Sequence, residues 1–327
     1  MIGFMPAALP PLPDLPAALT SLLQQIPRGS VTTYGDLAEA LGDRTAARWV
    51  GEFLVDHRHD AGCPCHRVVL KSGQAGNYIA GDADAKLRRL ADDGVPNIGG
   101  AVDVATYGFT AFRSDRPLAR LIDFQDELPA RIRIEPLQEI PELVGAVDVA
   151  YTADGQGGAA FAVVETATGR LVRSATVRKP VNFPYLTGYL SFREIGLLLD
   201  VIAEVGPLPP VLFVDGNGML HPRRAGIAAT LGVAIDHPTI GVGKKLLCGK
   251  VDLVGLRGGE SRAIVDRHET IGAAIRASDK SKPVFVSVGN RIDLAGAVDL
   301  AQRQFFGHRL PEVIYHADRL SKVAVRG

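Results

Sequence analysis

Cysteine is scarce in this 327-residue chain, with only Cys63, Cys65 and Cys248 present. Two of the three are one residue apart, so they cannot build a disulfide framework. The chain therefore reads as a reduced, cytoplasmic protein in which a cysteine that matters is reactive or holds a metal. Net charge is also missing, because 36 basic and 36 acidic residues balance to zero. That excludes a strongly basic surface, the direct sign of a nucleic-acid partner. Any such contact must use local patches such as Arg223–Arg224 and Lys244–Lys245. No apolar run reaches the ~18 residues that cross a bilayer, and no membrane is expected. The start, "MIGFMPAALPPLPDLPAALTSLL", lacks a basic region and is broken by prolines, unlike a signal peptide. Fixed-period repeats and low-complexity tracts are absent too. The length exceeds one average domain of ~100–200 residues and allows two cores.

Residues 20–60 predict helix, turn and helix. "TTYGDLAEALG" sets Tyr34, Leu37, Ala38 and Leu41 at helical spacing, with Thr33 as N-cap and Gly42 as stop. "DRTAARWVGEFLV" follows with Val50, Phe53 and Leu54 on one face, the outline of a helix-turn-helix. "AKLRRLADDGV" predicts a short basic helix ending at Gly94, and the irregular stretch after Pro96 reads as a connection. Beyond it, "VGAVDVAY", "AAFAVVET" and "RLVRSATVRK" are short β-branched runs with turn residues between them, a meander. A helix over about 190–205, the apolar run "PPVLFVDGNG" and further helix–strand units imply parallel strands. Together these make a mixed α/β sheet.

Two carboxylates interrupt runs that otherwise read as buried strand, Asp148 in "VGAVDVAY" and Asp215 ending "VLFVD". An ionised carboxylate there is costly unless a cation or several hydrogen bonds meet it. With Glu194 on the intervening helix they form an all-oxygen set suited to Mg²⁺ or Mn²⁺. The alternative is that each separately caps a turn or pairs with an arginine.

Together, "GAVDVAY", "VNFPYLTGYLSFRE", "FVDGNGMLHPRRAGIA" and "PTIGVGKKLL" closely resemble endonuclease V, from roughly Leu118 onward. The resemblance implies a ribonuclease H-like fold and nicking of DNA, in some members RNA, near deaminated adenine. It implies that Asp148, Glu194 and Asp215 hold one or two divalent ions that bind the scissile phosphate and lower the pKa of the attacking water. Lys244 would neutralise charge developing on that phosphate. His221 falls on the family's motif histidine, for phosphate or leaving-group contacts; its plainer reading is a turn cap. Tyr185, between Pro184 and Gly188, corresponds to the wedge that enters the duplex as the damaged nucleotide leaves the stack. The chain departs from the family at Asn290, where "SVG" is often followed by a histidine near the metal. An amide there offers an oxygen but takes no proton.

"AGCPCHRVV" raises a separate question. A disulfide between Cys63 and Cys65 would close a very tight ring around Pro64. Zinc has His57, His59, Cys63, Cys65 and His66 within ten residues, but C-x-C is not the C-x₂₋₄-C of ordinary sites and no second pair follows. No zinc is expected. A nucleophilic cysteine needs a base and a group to orient it, here His66 and Asp93.

"IPRGSVTTYGDLAEALG", "AARWVGEFL", "PCHRVV", "GNY" and "KLRRLADDGV" resemble the DNA-binding, reactive domain of O6-alkylguanine-DNA alkyltransferase, over about Leu15 to Pro96. The resemblance implies one-time transfer of the alkyl group from guanine O6 to Cys65, activated by His66 through a water. It implies a helix in the minor groove, with Arg48 filling the space of the extruded base. Tyr34 would help rotate the 3′ phosphate and donate toward the guanine oxygen. Cys63 reads as a small packed side chain. Asp93 stands for the usual glutamate with shorter reach, His57 for a structural asparagine, and Ile79 for a hydroxyl residue.

The sequence thus predicts two domains. The first is an α+β winged helix-turn-helix domain over residues 1–97, then a linker over 98–117. The second is an α/β ribonuclease H-like nuclease domain with a mixed sheet over 118–327. The expected partner of the monomer is double-stranded DNA with modified purines. Alternatives are a first domain that only binds lesions or is a zinc-stabilised scaffold, and a nuclease that cuts RNA at inosine.

Overall fold

Proline-rich chain gives way to helix at Asp14, whose carboxylate accepts from the Ala17 amide and caps α1 (Leu15–Leu23). This computed structural model describes residues 9–60 and 62–326. Residues 1–8, part of the start read as unlike a signal peptide, lie outside them. The chain divides into two compact units, one of residues 11–123 and 183–187, the other of residues 9–10, 124–182 and 188–326.

In the first unit a short strand, β1 (Thr32–Thr33), leads into α2 (Tyr34–Leu41). The Thr33 hydroxyl accepts from the Asp36 amide, and Gly42 ends the helix at φ 111°, a conformation that favours glycine. A 3-10 turn at Arg44–Ala46 leads to α3 (Ala47–Leu54). Leu37, Ala38, Leu41, Val50 and Leu54 are buried, as the helical spacing requires. The cysteine segment is a second 3-10 turn, Pro64–Arg67, running into β2 (Val68–Val69), which pairs in parallel with β1. Helix α4 (Ala83–Asp92) ends beside Asp93.

Residues 98–117, expected to be a linker, are instead folded into this unit. A small hairpin of β3 (Asn97–Ile98) and β4 (Ala101–Val102) precedes α5 (Val104–Tyr107). Val31 exchanges backbone hydrogen bonds with Tyr107 and Phe109, and the Val102 amide donates to Gly73 O at 2.9 Å. Val102 shares a core with Val31, Val69, Leu87, Leu90 and Val95. That core closes only with the segment in place, which is why it is ordered. Helix α6 (Ala119–Glu127) follows, and the division between units falls within it, after Asp123.

The second unit is built on one eight-stranded sheet. Its first strands, β5 (Leu143–Tyr151), β6 (Gln156–Glu165) and β7 (Leu171–Pro180), form the expected antiparallel meander. Helix α7 (Leu190–Ala203) carries the chain to β8 (Leu212–Asp215), and α8 (Ile227–Ala234) to β9 (Thr239–Gly243). Both strands are parallel to β5. The remaining strands, β10 (Ser261–Asp266), β11 (Glu269–Ile275) and β12 (Val284–Asn290), run antiparallel to their neighbours rather than parallel. The short connections from β10 to β11 and from β11 to β12, without a crossover helix, leave those two pairs no other arrangement. The sheet order is β10-β11-β12-β9-β8-β5-β6-β7. Period-two alternation divides its side chains between two cores. Val147, Phe161 and Val214 face α7 and α8. Ala146, Ala162 and Phe213 face α9 (Leu294–Arg303) and α10 (Glu312–Ala324). No helix among the described residues is long and apolar enough to cross a membrane.

Candidate active sites

In the first unit, the 3-10 turn at Pro64–Arg67 buries both Cys65 and His66. His66 Nε2 lies 2.8 Å from Asp93 Oδ2, so the shorter aspartate does reach it. Asp93 also accepts from Arg67 at 2.7 Å and meets Arg28 at 3.3 Å. Against the effect of its burial, Arg67 and His66 hold Asp93 below the usual carboxylate range. Burial outweighs Asp93 at His66 and lowers its pKa, so the ring is neutral near pH 7. With Nε2–H donating to Asp93, Nδ1 carries the lone pair, and this buried atom has no hydrogen-bond partner among the described residues. It is placed to accept a proton.

Cys65 Sγ lies 3.5 Å from His59 Nδ1, and Cys63 Sγ lies 3.2 Å from His57 Nε2. The contact between the two sulfurs lowers Cys63 to about 4 and, together with burial, pushes Cys65 upward. The spacing argued against a metal clip, yet folding gathers His57, His59, Cys63 and Cys65 so that one donor atom of each lies within 4.8 Å of the others. This proximity of Cys63 to His57, His59 and Cys65 is one that linear spacing could not show.

A cavity of about 530 Å³ opens beside Tyr34, Arg48, Gly51, Leu70, Gly76 and Asn77. Tyr34 is the first residue of α2, and burial raises its pKa. Gly76 approaches it so closely that a Cβ would lie 2.9 Å from the Tyr34 hydroxyl. Arg48 projects from α3 with its side chain 87% exposed, held by Glu52 at 2.9 Å. Lys86, unmarked in the sequence reading, is buried, with Nζ donating to Ala75 O and Asn77 O. Burial lowers it to about 8. In "AKLRRLADD" it looks like any basic residue on a helix, so no local signal exposes it.

In the second unit, Val147 pairs with Val214, so the next residues, Asp148 and Asp215, lie side by side on the α10 face of the sheet. Asp318 comes from α10, and oxygens of all three carboxylates lie within 4.8 Å of one another. Lys244 Nζ sits 2.5 Å from Asp215 and 2.9 Å from Asp318. Burial works against its charge, but these two carboxylates hold its proton more tightly than usual. Ser321 donates to Asp148. Burial, then Asp215, pushes Asp148 up to about 7. Glu194 stands outside this tight group, held at 3.0 Å by the Tyr151 hydroxyl. Burial pushes it up to about 8, with Asp148 and Asp215 adding to the effect.

The sequence reading missed Asp318, Ser321 and Tyr151. Asp318 pairs with Lys322 four residues on, which in sequence reads as an ordinary solvated helix face. Asn290, considered for the metal neighbourhood, is instead buried, accepting from the Arg133 amide and donating to Gly232 O. His221 is buried. Nδ1 accepts from the Arg223 and Ala225 amides and Nε2 donates to Gly188 O, so both nitrogens are engaged and burial lowers it to about 4. Tyr185 is 60% exposed, three residues before Gly188 with its φ of 84°.

The family model for endonuclease V matches residues 126–319, and that for the 6-O-methylguanine DNA methyltransferase DNA-binding domain matches residues 15–95. A bifunctional methyltransferase/endonuclease from Picrophilus torridus is 35% identical over 302 residues, covering 92% of this chain and 93% of its own. The solved endonuclease V of Streptomyces avermitilis is 34% identical with a TM-score of 0.60, over 67% of this chain and 96% of that one. Endonuclease V of Ciona intestinalis, solved with DNA containing an inosine, is 27% identical with a TM-score of 0.57. It covers 65% of this chain and 99% of that one. A reactive-cysteine domain joined to a carboxylate site on a mixed sheet defines a two-domain DNA repair protein. The chain belongs to the endonuclease V family, in the form that carries a methyltransferase-type DNA-binding domain ahead of the nuclease.

Proposed function

We propose that the second domain nicks DNA beside deoxyinosine with Mg²⁺ or Mn²⁺, and that the first takes the alkyl group of O6-alkylguanine onto Cys65. The observation that carries the nuclease reading is the clustering of Asp148, Asp215 and Asp318, with Lys244 Nζ bonded to the latter two. Hard oxygen donors in this arrangement fit a divalent ion, and burial, then the neighbouring Asp215, holds a proton on Asp148 that such an ion would displace. Asp148, Asp215 and Asp318 would hold the ion, with Glu194 behind them. Such an ion would supply positive charge for the scissile phosphate and lower the pKa of the attacking water. Lys244 would exchange its carboxylate partners for the phosphate, and Tyr185 would be the wedge. The order β7-β6-β5-β8-β9, an antiparallel meander followed by two parallel strands, supports a ribonuclease H-like fold.

In the first domain, α2 and α3 with the β3–β4 hairpin support a winged helix-turn-helix reading, with Arg48 as the residue that fills the gap of an extruded base. His66 Nδ1, relayed by water, takes the Cys65 proton while Asp93 holds the ring. The C–S bond forms as the O6–C bond breaks. The electron pair leaves on guanine O6, which takes a proton from the Tyr34 side of the cavity. Each chain holds both residue sets complete, which supports a monomer acting on double-stranded DNA.

Two variants separate the halves. Wild type should gain one methyl mass on incubation with O6-methylguanine duplex and nick a deoxyinosine duplex when given Mg²⁺. Cys65→Ser should lose only the mass gain, and Asp148→Asn only the nicking. An RNA duplex with inosine, run in parallel, reads the sugar preference. Nicking retained in Asp148→Asn would overturn the metal assignment. No mass gain, with lesion DNA still bound, would make the first domain a lesion sensor.

A further inference from the structure

We infer that His57, His59, Cys63 and Cys65 form a tetrahedral zinc site in the first domain. One donor atom of each lies within 4.8 Å of the other three. The N···S separations are 3.2 Å for His57–Cys63 and 3.5 Å for Cys65–His59. A tetrahedron with Zn–S ≈ 2.3 Å and Zn–N ≈ 2.0–2.1 Å has N···S edges of about 3.6 Å, so the ligands need to move only a few tenths of an ångström.

The ring orientations are those of metal ligands. His57 Nδ1 lies 3.1 Å from the Leu54 carbonyl, which can only accept, so Nδ1 carries the hydrogen. The Nε2 lone pair is then aimed at the sulfur, and such a carbonyl partner is the usual outer-shell support of a zinc histidine. The His57 ring also stacks on Phe53, with centroids 5.6 Å apart, and His59 packs edge-on against both His57 and Tyr78. Both sulfurs are buried, at 6% and 3% exposure. Two thiolates and two neutral imidazoles cancel the charge of a divalent ion, and this S₂N₂ set is soft enough to prefer zinc to magnesium. The nearby Asp60 is turned to its own loop, where it accepts from the Gly62 amide.

The site contains the sulfur assigned above as the alkyl acceptor. Zinc holds Cys65 as a thiolate while bound. Alkylation turns that thiolate into a neutral thioether, so the ion loses a charged ligand and is released. This consequence rests on the alkyl-transfer reading, whereas the metal site does not.

The full chain, stripped of metal and kept in excess Mg²⁺ to fill the carboxylate cluster, is titrated with Co²⁺ and then Zn²⁺. One equivalent of cobalt should give the intense visible bands of a four-coordinate ion and a thiolate-to-cobalt charge-transfer band, both abolished by zinc. Cys63→Ser and His59→Ala should each weaken zinc binding by at least roughly a hundredfold, more than loss of an outer-shell partner costs. Cobalt binding without the charge-transfer band would overturn the site in wild type alone, whether or not the variants fold. So would undiminished zinc affinity in both variants. A chain that takes no zinc yet gains a methyl group loses this inference and keeps the alkyl transfer. A chain that binds zinc without ever gaining the methyl group does the reverse.

Discussion

Magnesium binding to the nuclease domain should depend steeply on pH, because the ion must displace protons that the fold holds. Asp148 titrates at about 7 and Glu194 at about 8, against ordinary values of 3.8 and 4.5, and burial is the main cause of both shifts. At pH 6 a divalent ion has to expel both protons, and at pH 9 neither. The distance from pH 6 to each pKa is one decade for Asp148 and two for Glu194. Apparent affinity should therefore rise about a thousandfold from pH 6 to pH 9, steepest at the acid end. The same groups make the metal-free fold less stable as pH rises. A folded-state pKa raised above the unfolded value means that the unfolded chain sheds its proton first, from about 4 upward. Calorimetry of the full chain with Mg²⁺, in two buffers of different ionisation enthalpy, counts the protons released and reads affinity together. Asp148→Asn should remove one decade of the pH response. Affinity that stays flat across this range, with no proton released, would refute the claim that burial keeps Asp148, a ligand, and Glu194 behind it protonated until an ion displaces their protons.

Three further outcomes follow from other parts of the molecule. His221 is lowered by burial to about 4 from 6.5, so the unfolded chain takes up its proton first as pH falls. Stability should drop between about pH 6.5 and 4 by up to about 3 kcal/mol, seen in urea midpoints and flattened in His221→Gln. Gly73→Ala places a Cβ 2.1 Å from the Val102 carbonyl at a φ of 84°. It should destabilise the first domain by roughly 2 kcal/mol or more while deoxyinosine nicking persists. Asp93→Asn takes the carboxylate from His66 and from the mostly buried Arg67. It should cost about 2 kcal/mol and slow methyl transfer roughly a hundredfold, measured as the rate of mass gain.

Local features of the sequence determined much of this protein. Thr33 and Gly42 bound a helix wherever they stand at that spacing, because capping and left-handed backbone are properties of a few adjacent residues. Alternation in "VGAVDVAY" set which side chains share a face of β5. Asp148 and Asp215 stood out because a carboxylate in a strand-like apolar run is costly wherever that strand is buried. The same logic made the pairing of His66 with Asp93 legible.

What the sequence left open required chain segments far apart to meet. Asp318 joins Asp148 and Asp215 only because α10 packs across β5, and in its own helix it is indistinguishable from a solvated ion pair. The antiparallel half of the sheet, and the folding of residues 98–117 onto Val31 and Gly73, depend on pairing partners that no local pattern names. Whether His221 and Asn290 face a substrate or the protein's own backbone was likewise a matter of neighbours brought in by folding. The cysteine segment shows the division most plainly. Its residues announced reactive or metal-binding chemistry, but whether four donors could surround one ion depended on how close folding brings His57 and His59 to Cys63 and Cys65. Spacing along the chain does not determine distance in space, and that proximity was decided by the tertiary structure.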